Sequence, residues 1–359
     1  MKHQSVSDKT VRFGLIGSGG IAGVHVEALA RIPAARLAAI HSPDVKRARE
    51  LAEPAGARVC ATLGELLAAE TGVEAVLIAS PSGLHAEGAL PSLRAGKHVL
   101  CEKPLEITTE RVAGMIAEAR RSGVLLAGLL PLRCGAGARQ IRRAIEAGRF
   151  GKLTFLSARI KWWREPAYYA GSPWRGTRAL DGGGALMNQG IHAVDLLQWL
   201  GGPVREVWAF SDRLVHAGIE VEDTLAAGLR FENGALGTIE AATTCYPGLD
   251  LSLEISGERG TAILVNDRIE CWRFADERPE DERIRSGEAG GEIRGGSADP
   301  KAISCEGHRQ QIAAFCEAIQ GSSREGVIDG REAGAAVAII EAAYRSTASG
   351  RAERVTFFA

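Results

Sequence analysis

The first third of the chain alternates short apolar runs with stretches of helical period. Val11–Ile16 reads as a strand and Ile21–Arg31 as a helix. Leu37–Ile40 is a second strand, followed by a charged helix over Asp44–Glu53. Arg58–Cys60, Glu74–Ala79, His98–Cys101 and Val124–Gly128 read as further strands, with helices at His85–Ala95 and Thr109–Arg121. These strands are apolar nearly throughout, as strands covered on both faces must be. Alternating β and α units of this size predict a parallel sheet between two layers of helices.

After about residue 130 the rhythm changes. Ala138–Ala147 predicts a helix, Leu153–Ile160 a strand and Ala185–Leu200 a long helix. Val204–Phe210, Thr224–Phe231, Ala235–Thr243, Leu251–Ile255, Ala262–Val265 and Ile269–Arg273 then predict successive strands. Short turns such as Glu232-Asn233-Gly234 imply that they pair antiparallel. Residues 276–300, rich in Gly, Glu and Arg, read as an exposed excursion, and helices at Gly307–Gln320 and Arg331–Ser349 close the chain. The fold class is α/β, with one domain over 1–130 and a second over 131–359. Too few helices accompany the later strands to cover both faces of their sheet. A homodimer or homotetramer packed through that sheet is therefore expected.

The length of 359 residues fits two domains, by a prior of roughly 150 residues each. A net charge of −1, with both signs interspersed, argues against a nucleic-acid or anionic-membrane partner. The N-terminal MKHQSVSDKT has no apolar core, so no signal peptide is expected. No apolar run reaches the ~18 residues of a membrane span. The seven cysteines are scattered without a CxxC and read as reduced thiols. A soluble, cytoplasmic protein is the expectation. No His, Cys, Asp and Glu cluster has metal-ligand spacing, so no metal is expected.

Gly17-Ser18-Gly19-Gly20-Ile21-Ala22 follows the first strand directly and opens a helix. It fits the G-x-G-x-x-G/A dinucleotide fingerprint in the context that fingerprint requires. Gly17 permits the tight turn, Gly19 lets backbone approach a pyrophosphate, and the helix start supplies amide donors. NAD enzymes usually place a carboxylate about 20 residues further on, to hold the ribose 2′-hydroxyl. Here that position is Ser42, with Lys46 and Arg47 one turn beyond. A serine does not repel a 2′-phosphate, so the cofactor expected is NADP or NAD, with a slight lean to NADP.

Three more segments complete a pattern. They are Ala79-Ser80-Pro81-Ser82-Gly83-Leu84-His85, Cys101-Glu102-Lys103-Pro104 and the run DGGGALMNQGIHAVD over Asp181–Asp195. With the glycine loop, in this order, they resemble the Gfo/Idh/MocA oxidoreductases (glucose–fructose oxidoreductase, inositol dehydrogenase and their relatives). The resemblance runs from Val11 to about Gly350. It implies an N-terminal Rossmann domain and a C-terminal α/β domain with a large, open, mostly antiparallel sheet. It also implies hydride exchange between NAD(P) and a sugar, polyol or sugar derivative. Ser80, Pro81, Ser82, His85, Glu102 and Lys103 are then expected beside the cofactor, with Gly17, Ser18, Gly19, Gly20 and Ile21.

Oxidising an alcohol with a nicotinamide needs a group to polarise the oxygen and a group to take its proton. Lys103 falls just beyond a parallel strand, where open α/β sheets bind ligands. Partly desolvated, it should have a lowered pKa and should hydrogen-bond the reacting oxygen. A surface lysine at a strand end is the bland alternative. His192 lies on a predicted helix with Asn188 at i−4 and Asp195 at i+3, on one face. An imidazole there can act as base near neutral pH, with Asp195 orienting it. The alternative is a structural histidine paired to Asp195. Many relatives carry an aspartate where this chain has Asn188, which leaves His192 as the base and Asn188 as a substrate hydrogen-bond partner.

Trp162, Trp163, Arg164, Tyr168, Tyr169, Trp174 and Arg175 crowd one loop. Aromatic faces suit sugar rings, and arginine suits carboxylate or phosphate. Trp163, Arg164, Tyr169, Trp174 and Arg175 are taken as substrate contacts, against a hydrophobic plug or subunit contact. The resemblance adds Arg133 and His308. His25 reads as structural or near the cofactor, and Glu222-Asp223 as a solvated or capping pair. Two other functions compete: a catalytically silent dinucleotide- or sugar-binding regulator, and a cofactor-recycling oxidoreductase that never releases its nicotinamide.

Overall fold

The computed structural model describes residues 10–287 and 304–358. Residues 1–9, and the part of the expected excursion from 288 onward, lie outside the described residues.

The first sheet contains β1 (Val11–Ile16), β2 (Ala35–His41), β3 (Arg58–Cys60), β4 (Ala75–Ile78), β5 (His98–Cys101) and β6 (Leu126–Gly128). Its order is β3-β2-β1-β4-β5-β6 and every pair is parallel. Both faces are covered, by α1 (Gly20–Ala30), α2 (Val45–Ala52), α3 (Leu63–Leu67), α4 (His85–Arg94) and α5 (Thr109–Ser122). The short α3 had no counterpart in the sequence reading. The strand order reverses between β1 and β4, which opens a crevice at the carboxyl ends of the strands.

The second region begins with α6 (Ala136–Glu146), β7 (Leu153–Lys161) and the short α7 (Pro166–Ala170). A π-helical turn over Ala185–Gly190 then leads into α8 (Ile191–Gly201). The strands that follow are β8 (Val204–Asp212), β9 (Thr224–Phe231), β10 (Leu236–Ala242), β11 (Ser252–Gly257), β12 (Gly260–Val265) and β13 (Arg268–Phe274). After α9 (Pro279–Arg285), α10 (Glu306–Ile319) and α11 (Gly330–Ser349) comes a two-residue β14 (Glu353–Arg354).

The second sheet has the order β13-β12-β11-β7-β10-β9-β8-β14. It is antiparallel except where β10 runs parallel to β7. The crossover through α8 explains that exception. It returns the chain to the end where β7 began, so β8 runs in the direction of β7. Two hairpin reversals later, β10 has that direction too. Burial alternates along β9, with Leu225, Ala227, Leu229 and Phe231 inward. The inner face packs under α8 and α11. On the outer face Phe155, Trp208, Phe210 and Leu236 are exposed.

Neither region is closed on itself. Ile312, Phe315 and Cys316 of α10 return to the first sheet and join a core with Phe13, Leu15 and Leu100. Gly128 at the end of β6 donates to Ile328 O.

Part of the expected excursion at 276–300 is core. Residues 279–285 form α9, which packs on β13. Asp281 is fully buried and receives Arg149 through two bonds of 2.6 and 2.7 Å. Trp272 Nε1 donates to the same carboxylate at 2.7 Å, and so does the Arg278 amide at 2.7 Å. Local polarity misled the reading, because a buried ion pair looks like surface in a sequence. Removing one partner of such a pair strands the other. Asp281→Ala is expected to cost about 3–5 kcal/mol of stability. The exposed neighbour Glu282→Ala should stay within about 0.5 kcal/mol. Thermal and urea unfolding followed by circular dichroism measure both.

Candidate active site

The crevice is floored by the loops that follow β1, β4 and β5. Gly17 has φ 102°, and a Cβ there would stand 2.5 Å from Ala79 O. No L side chain fits that turn. Gly19 caps α1 without any side-chain acceptor on the helix amides, and the space beside its Cα is open. Ser80 Oγ, at the end of β4, is buried with no hydrogen-bond partner. A bare helix start, an open glycine and an orphaned hydroxyl together fit a dinucleotide pyrophosphate. Gly20 and Ile21 open α1 at this point.

At the end of β2, Ser42 is buried and its Oγ lies 2.8 Å from Ser18 Oγ. The nearest carboxylate, Asp44, caps α2 by accepting the Arg47 amide at 3.0 Å. Lys46 and Arg47 are exposed there. The structure thus places Ser18, Ser42, Lys46 and Arg47 at one corner of the crevice.

Beyond β5 the chain passes Glu102, Lys103 and Pro104, with a cis Lys103–Pro104 peptide. Glu102 does not face the crevice. It is buried, and its Oε1 lies 2.9 Å from His25 Nε2 and 3.3 Å from His308 Nε2. Its Oε2 accepts the Lys103 amide at 3.1 Å. Burial opposes its charge, yet the two imidazoles hold it well below the usual carboxylate range. His308, expected as a substrate contact, and Glu102, expected beside the cofactor, thus meet each other next to Lys103. His85 is also an internal brace. Its ring nitrogens lie 2.8 Å from Pro104 O and 3.0 Å from Ser80 O, which ties the two loops together. Pro81 and Ser82 lie in the turn between them, and Gly83 donates to Leu180 O at 2.8 Å across the crevice.

The opposite wall comes from the second region. Lys103 Nζ donates to the main-chain oxygen of Asn188 at 2.8 Å. Burial lowers the Lys103 pKa, against the pull of Glu102 and Asp181. His192 is half-buried with Nδ1 sealed off and unpartnered. Burial, then the Lys103 ammonium, push its pKa down to about 3. The free imidazole is therefore neutral at physiological pH.

Of the expected face of Asn188, His192 and Asp195, only the last two share a regular helix; Asn188 lies in the π-helical turn before it. The wide turn at Ala185–Gly190 changes the helix phase before α8 begins. Asp195 takes Arg133 in two bonds of 2.8 and 2.7 Å. Both are buried. Arg133, expected as a substrate contact, and Asp195, expected to orient His192, take each other as partners, since each buried charge needs the other. Glu222 and Asp223 are buried caps. Glu222 accepts the Gly184 and Leu186 amides, and Asp223 accepts those of Leu214, Val215 and His216.

The aromatic loop closes the site. Arg164 is buried and stacks between Trp162 at 4.9 Å and Tyr168 at 5.4 Å. It donates to Gln189 Oε1 at 3.1 Å. Arg175 lies over Tyr168 at 4.3 Å and Trp174 at 5.5 Å, and its buried Nε has no partner. Tyr169 donates to Thr243 Oγ1, and burial pushes its hydroxyl up to about 12. Trp163 sits further out, its edge on Tyr246 at 5.8 Å. Asp181 was missed as a site residue. It lies buried among Asn188, Lys103 and Arg175. Its place before three glycines was the available signal. Gly184 approaches Glu222 O too closely for any side chain, so the run brings backbone together here.

A parallel nucleotide-type sheet, a glycine loop and a lysine–histidine pair across its crevice define a two-domain, nicotinamide-dependent oxidoreductase. Residues 11–128 match the family described as "Oxidoreductase family, NAD-binding Rossmann fold", and residues 138–263 match the GFO/IDH/MocA C-terminal domain. The chain belongs to the Gfo/Idh/MocA family. It is 33% identical over 255 residues to 1,5-anhydro-D-fructose reductase of Ensifer adhaerens, covering 70% of this chain and 75% of that one. It is 32% identical over 272 residues to myo-inositol 2-dehydrogenase of Thermotoga maritima, covering 75% and 79%. The WlbA dehydrogenase from Bordetella pertussis, solved with NADH and UDP-GlcNAcA, superimposes with a TM-score of 0.89 at 34% identity. That alignment covers 98% of this chain and 99% of the other.

Lys103→Ala and His192→Ala are each expected to lower kcat by about 10²-fold or more, the scale of a positioned acid or base. Cofactor affinity, measured by fluorescence titration, should change much less.

Proposed function

We propose that the chain oxidises or reduces a hydroxyl or keto carbon of a sugar derivative that carries an acidic group. The observation that carries this reading is the charge of the site. Lys103, Arg164 and Arg175 surround it, and the unpartnered Arg175 Nε awaits an acceptor. The similarity to a dehydrogenase solved with UDP-GlcNAcA supports an acidic sugar. A bound nicotinamide supplies the hydride acceptor or donor. Lys103 donates a hydrogen bond to the reacting oxygen and stabilises its negative charge. The neutral His192 takes the hydroxyl proton at Nε2, since Nδ1 is buried. Arg164 and Arg175, stiffened by their aromatic neighbours, hold the acid. Trp163 and Trp174 offer ring faces to the sugar.

Cofactor choice turns on the end of β2. No carboxylate guards the 2′-position there, and Lys46 and Arg47 can meet a phosphate. NADH in the similar WlbA structure pulls toward NAD. Use of both, with a slight NADP preference, is the reading these features support. The unpaired cysteines, five of them buried, fit a reducing, cytoplasmic setting.

A panel of neutral sugars, polyols, sugar acids and nucleotide-linked sugar acids, assayed with both cofactors, tests this. Turnover should be confined to the acids, and Arg175→Ala should raise their KM. A preference for NAD of about tenfold or more in kcat/KM, about 1.4 kcal/mol, would reverse the cofactor reading. Nicotinamide co-purifying in equal amount would point to recycling instead.

The exposed Trp208, Phe210, Phe155 and Leu236 share the outer face of the second sheet. Apolar side chains grouped on one face are best covered by a second copy. Light scattering should show a dimer or tetramer, and Trp208→Glu with Phe210→Glu should shift it toward monomer.

A further inference from the structure

We propose that Asp181 is a positioning residue: it sets the orientation of the Asn188 amide and so makes Asn188 Oδ1 an acceptor for the substrate hydroxyl beside Lys103. This rests on the site reading above. Asp181 is buried, its Oδ2 accepting the Gly176 amide at 2.8 Å and its Oδ1 accepting Asn188 Nδ2 at 2.6 Å. An ionised carboxylate can only accept, so the amide must turn its NH₂ toward Asp181. That sends Oδ1 the other way. Among the described residues it then meets only Gln189 Nε2, at 3.5 Å. The main-chain oxygen of the same Asn188 holds Lys103 Nζ. One residue thus places both the ammonium and a neutral acceptor, with the negative charge kept a layer behind.

The groups facing Asp181 are Lys103 from the loop after β5, Arg175 from the aromatic loop and Tyr169 from α7. Burial outweighs the two cations and raises its pKa to about 6. Above that value the carboxylate accepts and the amide is locked. Below it the protonated acid donates, the amide is free to turn, and the acceptor at the substrate is lost.

The test compares Asp181→Asn, Asn188→Asp and the reciprocal double exchange, with Lys103→Ala alongside. Asp181→Asn should lower kcat about tenfold, the weight of one buried hydrogen bond, with cofactor affinity retained. The double exchange should recover most of the loss, since it restores one amide donor and one carboxylate acceptor. The side-chain amide resonance of Asn188, read by ¹⁵N–¹H NMR without substrate, should titrate with a midpoint of about 6 in the natural chain. A normal kcat in Asp181→Asn, or a double exchange no better than the single variants, overturns the proposal. If a variant does not fold, an Asn188 amide that fails to titrate in the natural chain overturns it. If Lys103→Ala is also fully active, the site reading has failed instead.

Discussion

A half-buried ammonium needs an acceptor, and Lys103 finds its own on the other side of the crevice, in the Asn188 carbonyl. That single bond joins the loop after β5 to the turn that opens α8. It puts the reacting groups between two walls that the chain builds separately. The helix-breaking turn at Ala185–Gly190 belongs to the same arrangement, for it carries Asn188 and sets the phase of His192 behind it. Asp195, one turn further along α8, neutralises Arg133 in the core.

The charges of the site are layered. Cations line the crevice, and the carboxylates that balance them sit one shell back. Glu102 is held below Lys103 by His25 and His308, and Asp181 is held behind Asn188. An anion bound in front would therefore meet positive charge without a facing carboxylate. His192 is kept neutral mainly by burial, and then by the nearby Lys103 ammonium, which disfavours a second positive charge.

Much of the first region was legible because a parallel sheet buries both faces, so its strands are apolar runs with clear ends. Arg58–Cys60 and His98–Cys101 match the observed strands to the residue. The glycine loop was legible for a steric reason, since only glycine fits at Gly17. The second region was read correctly as strands, and Thr224–Phe231 matches fully. The parallel contact of β7 with β10 was not readable, because pairing depends on a crossover whose return point no local pattern records. Helix α9 was hidden for the opposite reason: its polar composition is that of a surface, and only Arg149, remote in sequence, makes Asp281 a core residue.

From the residues alone came the order of elements and the dinucleotide loop, and with the family resemblance Lys103 and His192 as the proposed catalytic pair. Each of these depends on local constraint: periodicity, a turn that only glycine makes, a motif placed at a strand end. Partnership among charged side chains was decided by tertiary structure. Arg133, Asp195, Glu102 and His308 have the residue types of a binding site, and in the fold each has another buried polar side chain as partner. Asp181 opens the glycine motif, yet its place at the site became visible only with its bond to Asn188 in the fold. Desolvation explains the difference. Its cost depends on what surrounds a charge in space, and neighbours in space are what a linear chain does not record.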